Sequence, residues 1–150
     1  LSYDLFNTHL SLPAFASKGF WTRYPGVGFG ENQKIEMAQV ADYIVRRKDS
    51  DRFLLVGDFN TPPNTPAYEF LCQKLNVVDP FRELESTDYQ NDVRASPTAG
   101  FMNLRLRLDH IFMGPGLRCV DLDDCHGFDA EGRWSGLSDH VPLLGRFSPN

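Results

Sequence analysis

From Tyr3 to Leu10 the chain alternates well enough for a strand, with Tyr3, Leu5, Asn7 and His9 on one face. Residues 11–30 read as a long loop rich in proline, glycine and aromatic side chains. Glu31 to Lys48 is the clearest helix, because Met37, Val40, Ala41, Ile44 and Val45 recur as one apolar stripe. Glu31 at its start and Arg46, Arg47 and Lys48 at its end suit the helix dipole. Phe53 to Val56 is a short continuous apolar run, the pattern of a strand buried on both faces, and it leads into Gly57-Asp58-Phe59-Asn60. Thr65 as N-cap and Pro66 at the first helical position predict a second helix running to Leu75, with Ala67, Phe70, Leu71 and Leu75 inward. Residues 76–102 are polar and irregular. Leu104 to Phe112 reads as a strand, Gly114-Pro115-Gly116 as a turn, and Leu117 to Leu122 as the next strand. After a loop over 123–137, His140 to Phe147 is the last strand, with Pro142 suited to an edge or end.

Strands interleaved with two helices and a strand-rich end predict an α/β (α+β) fold with mixed sheets. A length of 150 residues fits one domain, and 41% hydrophobic with 13% aromatic residues fits a folded core. No stretch approaches the roughly 20 apolar residues of a membrane-spanning helix. Twenty acidic residues against 15 basic ones give a net charge of −5, which argues against tight non-specific binding to duplex nucleic acid. It leaves nucleic-acid chemistry open, since a bound cation would itself supply positive charge. Cys72, Cys119 and Cys125 have no metal-type spacing and are expected as buried thiols, or as a Cys119–Cys125 bridge if the chain is exported. Leu1 opens directly into a strand without signal-peptide features, as if the domain were entered in mid-fold.

Four polar segments stand beside apolar strands: Asn7-Thr8-His9-Leu10, Gly57-Asp58-Phe59-Asn60, Leu108-Asp109-His110-Ile111-Phe112 and Ser138-Asp139-His140-Val141-Pro142. A carboxylate at the end of a buried strand is expensive unless it is paired or holds a cation. Asp58 with the amide of Asn60 suits activation of water beside a phosphate. Asp139 and His140 combine a hard oxygen ligand with an imidazole, and Asp109 is placed to orient such an imidazole. Each segment also has a structural reading: a Gly-Asp-x-Asn turn, a strand-end cap at Asp109, an Asx-turn at Ser138-Asp139. His110 follows Asp109 and points to the opposite face, His126 is expected in solvent, and Arg105 and Arg107 are either phosphate ligands or, more simply, solvated or paired. The aromatics of the loop ending at Gly30, with Lys18 and Arg23, either tuck that loop onto the body or meet a base or a lipid surface.

In order and local sequence these four segments resemble the endonuclease/exonuclease/phosphatase superfamily, over nearly the whole chain. The resemblance implies part of a four-layer α/β/β/α sandwich and a Mg²⁺- or Mn²⁺-dependent hydrolase of phosphate esters. It implies Asp58 as the base for the attacking water, Asn60 as its orienting amide, and Asp139 with Asp58 as metal ligands. It further implies His140 at the scissile phosphate with Asp109 as its acid partner, His9 at the phosphate or leaving group, and Asn7 as a weaker substrate-binding candidate. The expected substrates are phosphate esters of nucleic acid, phospholipid or small phosphodiester type. The Leu-Asp-His-Ile-Phe context of Asp109 is unlike that of the inositol 5-phosphatases.

The resemblance leaves one gap, since the first half of the family domain, with its metal-binding glutamate, has no counterpart. Glu31, Glu36 and Glu69 lie on or beside predicted helices, outside the expected motif. A half-sandwich would expose an apolar sheet face. The expectation is therefore a single domain over residues 1–150 lacking its N-terminal half, a homodimer pairing two faces, or a non-catalytic half-domain that binds a partner.

Overall fold

The computed structural model describes residues 2–12, 31–81, 97–101, 104–123 and 137–150. The aromatic loop after Leu12, His126 and Cys125 lie outside them. The described elements are β1 (Asp4–His9), α1 (Glu31–Arg47), β2 (Phe53–Asp58), α2 (Pro66–Leu75), β3 (Ala99–Phe101), β4 (Leu104–Leu106), β5 (Asp109–Met113), β6 (Leu117–Asp123) and β7 (Leu144–Pro149). The fold is mixed α/β, as the alternation of strand and helix patterns predicts.

The central sheet has the order β1-β2-β5, with β1 parallel and β5 antiparallel to β2; β3 pairs β4, and β6 pairs β7, both antiparallel. One face of the central sheet carries Phe53, Leu55 and Phe112 against both helices. Met37, Ala41 and Ile44 of α1 and Ala67, Tyr68, Leu71 and Leu75 of α2 complete that core, closed by Phe59. Fully burying each of these aliphatic or aromatic side chains is worth about 1.5–3 kcal/mol.

Both helices follow their sequence signals, with two changes of face. In α1 the buried stripe is Gln33, Met37, Ala41 and Ile44, while Val45 is exposed. In α2 Tyr68 takes the inward place expected for Phe70, which is exposed. The reason is polar, since the Tyr68 hydroxyl donates to Asp79 Oδ2 at 3.1 Å inside the protein. Pro66 opens α2 and Asn76 closes it in the left-handed conformation, but the Thr65 hydroxyl donates to the Pro62 carbonyl and makes no side-chain cap.

The strand expected over Leu104–Phe112 is two strands, β4 and β5, interrupted at Arg107 and Leu108. There the hydroxyl oxygen of buried Thr98 accepts the N–H groups of Leu108 (3.0 Å) and Asp109 (2.9 Å) in place of a neighbouring strand. The last strand begins at Leu144, not His140, which makes only an isolated bridge to Ala99. Cys72 and Cys119 are half-buried, whereas Cys125, the other half of the bridge the sequence allows, lies outside the described residues.

Ladder pairing sets what shares the sheet's second face. Leu5, Leu54 and Met113 form one rung, Asn7, Val56 and Ile111 the next, and His9, Asp58 and Asp109 the last. Burial on this face is graded: Leu5 is 67% exposed, whereas Ile111 and Met113 are buried. Among the described residues, exposure on this face thus falls from β1 across half-buried Leu54 and Val56 to β5.

Candidate functional site

The last rung of this face ends the apolar ladder in three polar side chains, and Gly57 makes the rung possible. Its φ of 135° is open to glycine, and a Cβ there would stand 1.8 Å from the Thr8 carbonyl oxygen. Only a bare α-carbon lets β1 lie so close that His9 reaches Asp58.

Beyond β2 the chain turns through Asn60, which adopts a left-handed φ of 49°. The Asn60 N–H donates to Asp58 Oδ1 at 2.8 Å, and its side-chain Nδ2 donates to the Leu10 carbonyl at 2.8 Å. The turn expected of Gly-Asp-x-Asn is therefore real: the Asn60 N–H occupies Oδ1, and Asn60 Nδ2 also donates to Oδ2 at 3.4 Å. Asp58 Oδ2 lies 3.4 Å from His9 Nε2 and 3.9 Å from His140 Nε2, and its side chain is 16% exposed against 76% for His9.

His140 arrives from the far end of the chain. Thr98 fastens it, accepting the Val141 N–H on its carbonyl (2.8 Å) while its hydroxyl holds the start of β5; the Gly100 N–H donates to the Asp139 carbonyl (2.7 Å). The Ser138 hydroxyl accepts the His140 N–H at 3.0 Å. So placed, His140 Nδ1 donates to Asp109 Oδ2 at 2.8 Å, which fixes the ring and turns Nε2 toward Asp58.

Burial pushes the Asp58 carboxyl above its ordinary range, and the Asp109 charge adds to that push. The Asn60 N–H and the two imidazoles oppose it without cancelling it. At His140 burial works against the charged ring. The hydrogen bond and charge of Asp109, with the charges of Asp58 and Asp139, outweigh it and hold the imidazole above its ordinary value.

Of the residues singled out by sequence, the structure brings together His9, Asp58, Asn60, Asp109 and His140. Asn7 is exposed one rung away, opposite Val56. Asp139 is exposed and adds its negative charge at His140. Among the described residues the converging ligand atoms belong to Asp58, Asp109 and His140, all within 4.8 Å of one another. Two carboxylates facing one point suit a hard divalent cation, which binds one or two carboxylates and keeps places for water and phosphate oxygens.

His110 is on the opposite face from Asp109, as strand alternation requires, and it is buried with Asp79 (Nδ1 to Oδ2, 3.2 Å). Arg107 is equally buried, 3.8 Å from Asp79 Oδ1 and with its guanidinium 3.4 Å above the Phe81 ring, so it is a structurally paired cation away from the site. Sequence reasoning missed Thr98, Gln33 and Asp79. Thr98 and Asp79 lie in a stretch with no periodicity, and the one available signal for Gln33 was a polar residue one turn before Met37 on the apolar stripe.

Similar folds occur in the catalytic domain of human Nocturnin with bound sulfate (TM-score 0.63, 19% identity, 96% of this chain and 46% of that one). They occur also in a mannosyl-6-phosphatase of Bacteroides thetaiotaomicron (0.59, 17%, 96% and 50%) and in beta toxin of Staphylococcus aureus (0.56, 16%, 96% and 52%). The chain spans about half the length of these structures. No curated protein sequence matches it. The family model described as Endonuclease/Exonuclease/phosphatase family matches residues 4–140, a span that runs from β1 through the imidazole of His140, and the chain belongs to that family.

Proposed function

We propose that the chain carries the catalytic rung of a divalent-metal-dependent phosphoesterase, in which water attacks the phosphorus of an ester. The observation that carries this reading is the facing pair of Asp58 Oδ2 and His140 Nε2, with Asp109 gripping the imidazole from behind. Asp58 takes the proton of the attacking water through Oδ2. Its raised pKa makes it a stronger base than an ordinary carboxylate. Asn60 holds Oδ1 through its N–H and reaches Oδ2 through Nδ2, which orients the carboxylate. His140, kept protonated by Asp109, donates from Nε2 to a phosphoryl oxygen as negative charge grows there. His9, exposed at the rim, meets the phosphate or the leaving group, and Asn7 extends the same face toward the substrate. Asp58 and Asp109, with Asp139 nearby, would hold Mg²⁺ or Mn²⁺, which supplies charge neutralisation for the phosphoryl oxygens. The substrate is a phosphate ester of a nucleic acid, a phospholipid or a small phosphodiester.

The testing experiment is hydrolysis of bis-p-nitrophenyl phosphate with Mg²⁺ or Mn²⁺ by this chain and by Asp58→Ala. Metal-dependent turnover that disappears in the variant supports the reading. A folded chain without turnover favours a second one, a binding module, for which the exposure of Tyr3 and Leu5 on the His9 face of β1 is the supporting observation.

A further inference from the structure

The turn that carries Asp58 and Asn60 is gripped from its core side by two side chains that never reach the substrate face. Gln33 is fully buried on α1, and its Nε2 donates to the Asn60 carbonyl at 2.6 Å. His110 is buried on β5, and its Nε2 donates to the next carbonyl, Thr61, at 2.9 Å. Two consecutive carbonyls are thus held from two different elements.

Gln33 Nε2 also reaches the Ser11 carbonyl, at 3.4 Å, so the Asn60 carbonyl takes its shorter bond. The His110 ring stacks on Phe112 (5.3 Å, 29°) with Tyr68 and Phe59 beside it, and Nδ1 faces Asp79 Oδ2. Asp79 is fixed in turn, because the Tyr68 hydroxyl donates to Oδ2 and the Phe81 N–H to Oδ1. A glutamine amide and an imidazole cost free energy to bury, and an aliphatic residue would fill either position more cheaply. Their burial is explained by what they hold. Asn60 is left-handed, a conformation asparagine adopts more readily than other residues that carry a Cβ, and the held carbonyls of Asn60 and Thr61 fix the turn on either side of it.

We propose that Gln33 and His110 are positioning residues that set the Asp58 and Asn60 side chains by clamping the Asn60 and Thr61 carbonyls. Its consequence for rate rests on the phosphoesterase reading; its consequence for the turn does not. Misplacement by an ångström can cost about a hundredfold in rate.

The test uses the full chain with Gln33→Met and His110→Leu, which fill the space without a donor, and His110→Gln, which restores one within reach of Thr61. Two readouts are taken: hydrolysis of bis-p-nitrophenyl phosphate with Mn²⁺, and hydrogen exchange at the Asn60 amide compared with Leu55 and Phe112. Gln33→Met and His110→Leu are expected to lower kcat by about 10- to 100-fold with KM within about twofold. Asn60 exchange accelerates while Leu55 and Phe112 stay protected, and His110→Gln recovers most of both losses. Unchanged Asn60 exchange overturns the proposal. So does equal acceleration at all three amides, or a His110→Gln variant no better than His110→Leu. If the unsubstituted chain hydrolyses nothing, the phosphoesterase reading fails, and the exchange pattern alone still decides the clamp.

Discussion

Asp58 and Asp109 stand directly opposite one another across the antiparallel ladder of β2 and β5. Like charges in that relationship repel, and here His140 lies between them, bonded to Asp109 and facing Asp58. The raised pKa of Asp58 has the same origin, burial first and Asp109 second. Such a pairing costs stability, as groups arranged for chemistry commonly do. Asp58→Asn keeps an acceptor for the Asn60 N–H and removes the buried charge. In metal-free buffer it is expected to be about 1 kcal/mol more stable by urea unfolding. With Mn²⁺ its phosphodiester hydrolysis falls by about a thousandfold or more. A destabilised variant would refute the account of strain at this rung.

The His140 pKa is raised in the folded protein, so folding favours the protonated ring. Its contribution to stability is complete below the ordinary histidine value of about 6.5 and is lost as pH rises through the higher folded value. Asp58, also raised, works in the same direction at lower pH. With EDTA present, the Tm difference between this chain and His140→Gln is expected to be larger at pH 6 than at pH 8.5. A difference independent of pH would mean that Asp109 holds a neutral ring.

Gly57 is where sequence and site geometry meet most tightly. A methyl group at its α-carbon would stand 1.8 Å from the Thr8 oxygen and 3.1 Å from Asn7 Oδ1, at a φ that alanine rarely adopts. Gly57→Ala is expected to cost roughly 3 kcal/mol or more, because backbone must move on backbone. Denaturant unfolding measures it, and a cost below about 1 kcal/mol would show that β1 can shift freely.

What could be read from the sequence was local. Thr65-Pro66 marks the start of α2, the stripe from Met37 to Ile44 marks the inner face of α1, and the four polar segments contain all five side chains that converge. What could not be read was polar and long-range. The break between β4 and β5 depends on a hydroxyl from Thr98, which no alternation in residues 104–112 reveals. Tyr68 displaces Phe70 from the inner face because Asp79, beyond the helix, accepts its hydroxyl. Arg107 resembles a surface cation until Asp79 and Phe81 close over it. Apolar periodicity reports which face is buried, but it says nothing of a buried polar group whose partner comes from another element.

That partner network yields the last expectation. Asp79 is fully buried; desolvation would raise its pKa, but the His110 hydrogen bond and the Arg107 charge outweigh it and hold the carboxyl below its ordinary value. Its stabilisation is therefore present above the ordinary carboxylate range and lost as pH falls toward the depressed value. Asp79→Asn removes the buried carboxylate that Arg107 and His110 face, a change expected to cost about 3–5 kcal/mol. Adding Arg107→Met should recover part of that loss, since removing a buried pair is cheaper than removing one member of it. Urea unfolding of the two single variants and the double variant at neutral pH measures the coupling. Strict additivity would show that Asp79 acts through His110 and Tyr68 alone.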